Sequence, residues 1–146
     1  MCSSDLFPSH DRSSTNWIKR PNPDVLPINN GYGIALSQDG TIMAVAHEGS
    51  PYVSTYDWTG TNWIKRPNPN ILPPNNGTGV TLSPDGTLMA VAHNGSPYIS
   101  TYDWNGTNWI KRPNPNVLPP NNGNGVALSQ DGTLMAVAHN GSPYVS

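Results

Sequence analysis

Three histidines, His47, His93 and His139, recur at a spacing of 46 residues, each followed by Glu48, Asn94 or Asn140 and then Gly-Ser-Pro. Repeated imidazoles on one face have the chemistry of metal or anion ligation. Ligands of one ion must converge, however, whereas residues one packed sheet apart stand about 10 Å away. The favoured role is therefore a hydrogen-bonded cap on the turn. Asp39, Asp85 and Asp131 each precede a glycine, where Asp is chosen for bonding its own backbone. Asp57 and Asp103 lie between aromatic residues and are expected to form buried bonds to backbone or hydroxyl groups. Lys19-Arg20, Lys65-Arg66 and Lys111-Arg112 make up six of the seven basic residues. Such pairs suit an acidic partner, but they suit protection of a sheet edge better. Trp17, Trp63 and Trp109 are either platforms for sugar stacking or, by preference, packing residues at the rim.

The copies differ from one another at Tyr32, Thr78 and Asn124 and at Glu48, Asn94 and Asn140. The loop before the first strand of a unit and the turn after its second strand are expected to share one face. The ligand-binding candidates are accordingly His47, His93, His139, Tyr32, Glu48, Asn94 and Asn140. No residue is assigned to catalysis, to a metal or to a cofactor. Acid–base or nucleophilic catalysis gathers unlike groups at one point, and every titratable group in the repeats comes in near-equivalent copies.

The elements that carry these residues are short β-strands. Gly33 to Ser37 places Ile34 and Leu36 on one face and Ala35 on the other. The Gln38-Asp39-Gly40 turn then leads to Thr41 to His47 as the second strand of a hairpin. Both faces of that strand are mostly apolar, as in a sheet sandwiched between two others. Tyr52 to Trp58 is the third strand, with Tyr52, Ser54, Tyr56 and Trp58 on one side. Asn62 to Arg66 is the outermost, ended by Pro67 and Pro69. The Pro- and Asn-rich stretch from Pro67 to Gly79 returns the chain to the next inner strand. Gly or Pro interrupts every run before helical length, so the chain is read as all-β.

Trp17, Trp63 and Trp109 mark a period of 46, beside the about 40–45 residues of a propeller blade. The reading is a β-propeller fragment of three four-stranded antiparallel blades. Its repeats span 15–60, 61–106 and a truncated 107–146, after a non-repeat segment 1–14 that reads as artefactual. Three blades fall short of the about four that close a ring. The N-terminal strand is placed to close a ring with another chain or with missing blades. This implies a homo-oligomer of six or nine blades, or a longer chain.

Among 146 residues, 14 Gly and 16 Pro are offset by 5 Trp and 6 Tyr, which supply apolar area that a disordered chain lacks. The net charge of −2 provides no basic field, so neither nucleic acid nor a membrane is expected as partner. The single cysteine, Cys2, offers no internal disulfide. The N-terminus lacks a cationic start and an apolar run, and the expectation is a soluble chain, cytoplasmic or virion-associated.

At Leu82-Ser83-Pro84-Asp85-Gly86-Thr87, and at the matching stretch from Ala35 to Thr41, the sequence resembles the hairpin of WD40-like repeats. Tyr56-Asp57-Trp58 and Tyr102-Asp103-Trp104 resemble the end of that repeat's third strand. The resemblance covers residues 15–146. It lacks the Gly-His pair of the eukaryotic type and looks more like the uniform bacterial and phage propellers. That family implies a non-catalytic binding or assembly scaffold, with protein or glycan as ligand, or a phage virion or surface-recognition module. The enzyme alternative is a lactonase-like hydrolase with acidic metal ligands around a channel. The inner strands here offer Ile, Ala, Leu, Val and Thr instead.

Overall fold

The computed structural model describes residues 10–12 and 15–146, with the side chains of 10–12 left aside. The expectations placed on Cys2 and on most of the segment 1–14 lie outside the described residues. Every element is a strand: β1 (His10–Arg12), β2 (Trp17–Lys19), β3 (Gly31–Leu36), β4 (Ile42–His47), β5 (Val53–Trp58), β6 (Trp63–Lys65), β7 (Gly77–Leu82), β8 (Leu88–His93), β9 (Ile99–Trp104), β10 (Trp109–Lys111), β11 (Gly123–Leu128) and β12 (Met135–His139). β3-β4-β5-β6 and β7-β8-β9-β10 are two four-stranded antiparallel sheets in simple meander order. β1 pairs with β2 through Asp11 and Ile18, as Asp57 pairs with Ile64 between β5 and β6. The N-terminal outer strand therefore belongs to a two-stranded sheet of its own. β11 and β12 form the last sheet, extended by a bridge from Ala138 to Val145.

The strands begin and end where local chemistry dictates. In the first hairpin, Asp39 Oδ1 accepts from the Ser37 hydroxyl (2.8 Å) and from the Thr41 backbone N–H (3.0 Å) and hydroxyl (2.7 Å). Gly40 supplies the positive φ of 73° that the turn requires. Several strand ends differ by one residue from the sequence reading, and two differences have a distinct structural cause. The inner strand starts two residues earlier, at Gly31, because the register shifts between Gly31 and Gly33 and leaves Tyr32 as a bulge. Tyr52 is not in the third strand: it holds a φ of 71° in the turn, donating its N–H to Gly49 O (2.8 Å) while its own carbonyl accepts from His47 N (3.0 Å).

Packing between sheets follows the two-residue alternation of each strand. One face of the first full blade is small: Ala44, Ala46 and Val53, with Ala35 and Ile42 beside them. It receives the bulky face of the next blade, namely Val80, Leu82, Met89, Val91, Tyr102 and Trp109. The second junction repeats this, with Ala90, Ala92 and Ile99 against Val126, Met135 and Val137. Every blade thus has a flat side and a filled side, and the two are complementary in one direction only. Burial of the large side chains at about 25 cal/mol per Å² drives the stacking. The inner strands meet most closely through glycine. A Cβ on Gly79 would lie 2.9 Å from Gly125 Cα, and one on Gly33 would lie 3.0 Å from Gly79 Cα.

Candidate functional site

One end of the blades carries the turn after each second strand. His47 is fully buried there and points along its own sheet. Its Nδ1 lies 3.0 Å from the Glu48 carbonyl, which only accepts, so Nδ1 carries the proton and Nε2 accepts from the Ser54 hydroxyl at 2.9 Å. His93 repeats the pattern with Asn94 O (2.9 Å) and Ser100 (2.9 Å). His139 does so with Asn140 O (2.9 Å) and Ser146 (2.8 Å). Both ring nitrogens are engaged inside the blade each time. Burial holds the pKa of His93 below the ordinary histidine value. The three imidazoles cap turns, and none is turned to solvent.

The positions that vary among the copies do share this end. Glu48 donates its N–H to Asn30 O (3.0 Å), and Asn30 Nδ2 reaches the Glu48 carboxylate at 3.4 Å. Asn124 donates to Asn140 Oδ1 at 2.8 Å. Thr78 instead turns its hydroxyl to the carbonyls of Ala92 (3.1 Å) and, in the next blade, Gly123. Tyr32 is exposed. Asn76 Oδ1 accepts from Gly49 N (3.2 Å) and Asn122 Oδ1 from Gly95 N (3.1 Å), so each linker is pinned to the turn of the blade behind it. The candidates Tyr32, Glu48, Asn94 and Asn140 are thus accessible in part, while His47, His93 and His139 are not.

The opposite end carries the Asp-Gly hairpins. Hydrogen bonds from Ser and Thr hold Asp39 and Asp85 below the usual carboxylate range. Asp131 is lowered to about 2, chiefly by the Ser129 hydroxyl. Gln38 N donates to Pro84 O at 2.8 Å, joining one hairpin to the next. Near this end, Arg20, Asp39, Gly40, Thr41, Trp58, Thr59 and Gly60 line a groove of about 300 Å³.

The Lys-Arg pairs divide in a way the edge-protection reading did not anticipate. Lys65 stays outward and bonds Asn68 Oδ1 (2.6 Å) and Arg66 O (3.1 Å). Arg66 turns inward, only 7% exposed. It holds Asp57 through Nε (2.8 Å) and Nη2 (2.7 Å), and its guanidinium lies 4.0 Å from the centroid of Trp104 in the following blade. Asp57 therefore pairs with a cation rather than with backbone or hydroxyl groups. Arg20 sits over Trp58 in the same manner at 4.1 Å. Trp63 and Trp109 are buried rim packing, and Trp109 Nε1 donates to Thr55 Oγ1 of the preceding blade at 2.9 Å. The sequence signal for this clamp was the joint recurrence of Asp, Trp and Arg at nine- and forty-six-residue offsets.

No family model and no curated protein matches the chain. Among solved structures it is similar to hydrazine synthase of Kuenenia stuttgartiensis, with 17% identity and a TM-score of 0.58 over 88% of this chain and 32% of that one. The chain spans about a third of the length of that structure, and the likeness is one of fold. Together with the repeated four-stranded antiparallel sheets it defines the class: the chain is an all-β propeller fragment with open sheets. Among the described residues no helix is long and apolar enough to cross a membrane, and no group of three or more His, Cys, Asp or Glu is placed to hold a metal ion.

Proposed function

We propose that the chain is part of a WD40-like propeller that works as a non-catalytic binding or assembly scaffold for a protein or glycan ligand. The observation that carries this reading is the closure of the polar groups within each blade. His47, His93 and His139 spend both nitrogens on backbone and serine, and Asp39, Asp85 and Asp131 are held by Ser and Thr of their own hairpins. Equivalent groups satisfied in equivalent ways give a rigid frame, and a rigid frame presents its variable positions to a partner. Those positions are Tyr32, Glu48, Asn94 and Asn140 at the turn end.

The outermost faces support an assembly role. Ile34 and Leu36 are exposed on the bulky side of the first full blade, and Leu134 is exposed on the flat side of the last. These are the two halves of the junction buried elsewhere, so a second copy or further blades of a longer chain fit them. Two measurements test the reading. A glycan array and an affinity capture with the immobilised chain are expected to return a saturable ligand whose binding falls when Glu48, Asn94 and Asn140 are all replaced by Ala. Stoichiometric calcium or zinc in the purified protein, with lactone hydrolysis lost on its removal, would replace the scaffold by an enzyme.

A further inference from the structure

Seven asparagines are followed by glycine: Asn30, Asn76, Asn94, Asn105, Asn122, Asn124 and Asn140. In an Asn-Gly step the glycine nitrogen can attack the asparagine side-chain carbonyl carbon, because no Cβ on the following residue obstructs the approach. The fold treats the seven very differently. Gly31, Gly77 and Gly123 pair with His47, His93 and His139, and the carbonyls of Asn30, Asn76 and Asn122 accept from the N–H groups of Glu48, Asn94 and Asn140, so the chain on both sides of these three steps is held in paired strand. The nitrogen after Asn94 is engaged too, since Gly95 N donates to Asn122 Oδ1 at 3.1 Å. Asn140 Oδ1 is drawn aside to Asn124 Nδ2 at 2.8 Å, which also ties down the Asn124 carboxamide, and the Gly125 that follows Asn124 is paired with Ala138 between β11 and β12.

Asn105 is the exception. It is exposed at the tip of the turn between β9 and β10. A Cβ on Gly106 would meet nothing within 4 Å, and its φ is 102°. The Asn105 Oδ1 accepts from Asn108 N (2.8 Å), Thr107 N (2.9 Å) and the Thr107 hydroxyl (3.0 Å). Three donors on one carbonyl oxygen polarise the carbon and are in place for the charge that develops on that oxygen during attack.

We infer that Asn105 is a self-modification site, at which the turn converts its own asparagine through a succinimide into aspartate and isoaspartate. The Gly106 nitrogen loses its proton to solvent base and bonds to the Asn105 side-chain carbon. The carbon–nitrogen bond of the carboxamide breaks, and ammonia leaves with a solvent proton. Water then opens the cyclic imide on either side. No oxidant, cofactor or second protein takes part. The aspartate product adds one negative charge and keeps acceptors for the same three donors. The isoaspartate product routes the main chain through the side chain and loosens the hairpin that holds Trp109. The first blade carries Thr59 at this position, where its Oγ1 accepts from Asn62 N at 3.1 Å. Only the second of the two blades therefore changes with age.

Purified full chain, incubated at neutral and mildly alkaline pH and analysed by peptide mapping, tests this, with a parallel sample kept unfolded in urea. In urea the seven steps are expected to convert at similar rates. Folding is expected to slow the other six several-fold and to leave Asn105 as fast as in urea or faster, with isoaspartate in its peptide. Asn105→Thr, which installs the residue the first blade already uses, should remove the fastest conversion without altering the folded spectrum. A folded-state rate at Asn105 suppressed as strongly as at Asn76 would overturn the assignment. So would conversion led by any of the other six.

Discussion

Replacing Arg66 by Met tests whether the inward arginine holds one blade to the next. The guanidinium 4.0 Å from the Trp104 centroid contributes about 0.5–2 kcal/mol when desolvated. Its two-pronged contact with Asp57, whose side chain is 48% exposed, contributes about 1 kcal/mol. Against this, Arg66 Nη1 is buried without a hydrogen bond, an arrangement that costs about 1 kcal/mol and disappears with the guanidinium. Methionine retains most of the packing volume, so the net loss is about 0.5–2 kcal/mol. The chain contains its own control. Arg112 makes the same contact with Asp103 at 2.7 and 2.8 Å, but both side chains are 49% exposed, and that pair is worth only about 0–1 kcal/mol. Urea unfolding of Arg66→Met and Arg112→Met, followed by tryptophan fluorescence and far-ultraviolet circular dichroism, gives both values. Equal losses in the two variants, or a change below about 0.5 kcal/mol at Arg66, the range of an indifferent surface substitution, would refute the inter-blade clamp.

Glycine at 77 is enforced by close approach: a Cβ there collides with the Tyr52 carbonyl and lies 3.1 Å from the Ala46 Cβ, whereas a Cβ at Gly125 meets nothing within 4 Å. Gly77→Ala is expected to destabilise by about 2 kcal/mol or more through strain in the packed junction, and Gly125→Ala by less than about 1, measured by the same urea curves. His93 is held neutral by burial, its pKa lowered from 6.5. The unfolded chain therefore takes up the proton first, and stability present above pH 6.5 is lost as the pH falls from there to the lowered folded value. A stability profile without loss below 6.5, or one unchanged by His93→Asn, would contradict this. Asp131 should titrate near 2 by carbon-detected NMR, and Ser129→Ala with Thr133→Val should return it toward 3.8, since those hydroxyls are leading causes of the shift. A value near 3.8 in the unsubstituted protein would remove the account of the hairpin.

Whatever depends on neighbours along the chain can be read from the residues alone. Asp39-Gly40 and its copies specify a tight turn because the carboxylate bonds a backbone N–H and a hydroxyl two residues on, and glycine accepts the positive φ. Alternation along Ile42 to His47 fixed two apolar faces, and the period of 46 fixed how many times they recur. The histidines were legible as turn caps, because a ring of ligands one sheet apart cannot converge. Which face meets which is settled only when the blades stack. That choice depends on small residues such as Ala44 and Ala46 lying opposite Met89 and Tyr102, which are more than forty residues away along the chain. The inward turn of Arg66 was hidden for the same reason. A basic residue beside proline at a strand end looks like edge protection until the next blade places Trp104 over its guanidinium. Local hydrogen bonds are written in adjacent residues, whereas the partner of a packed face exists only after the chain has stacked.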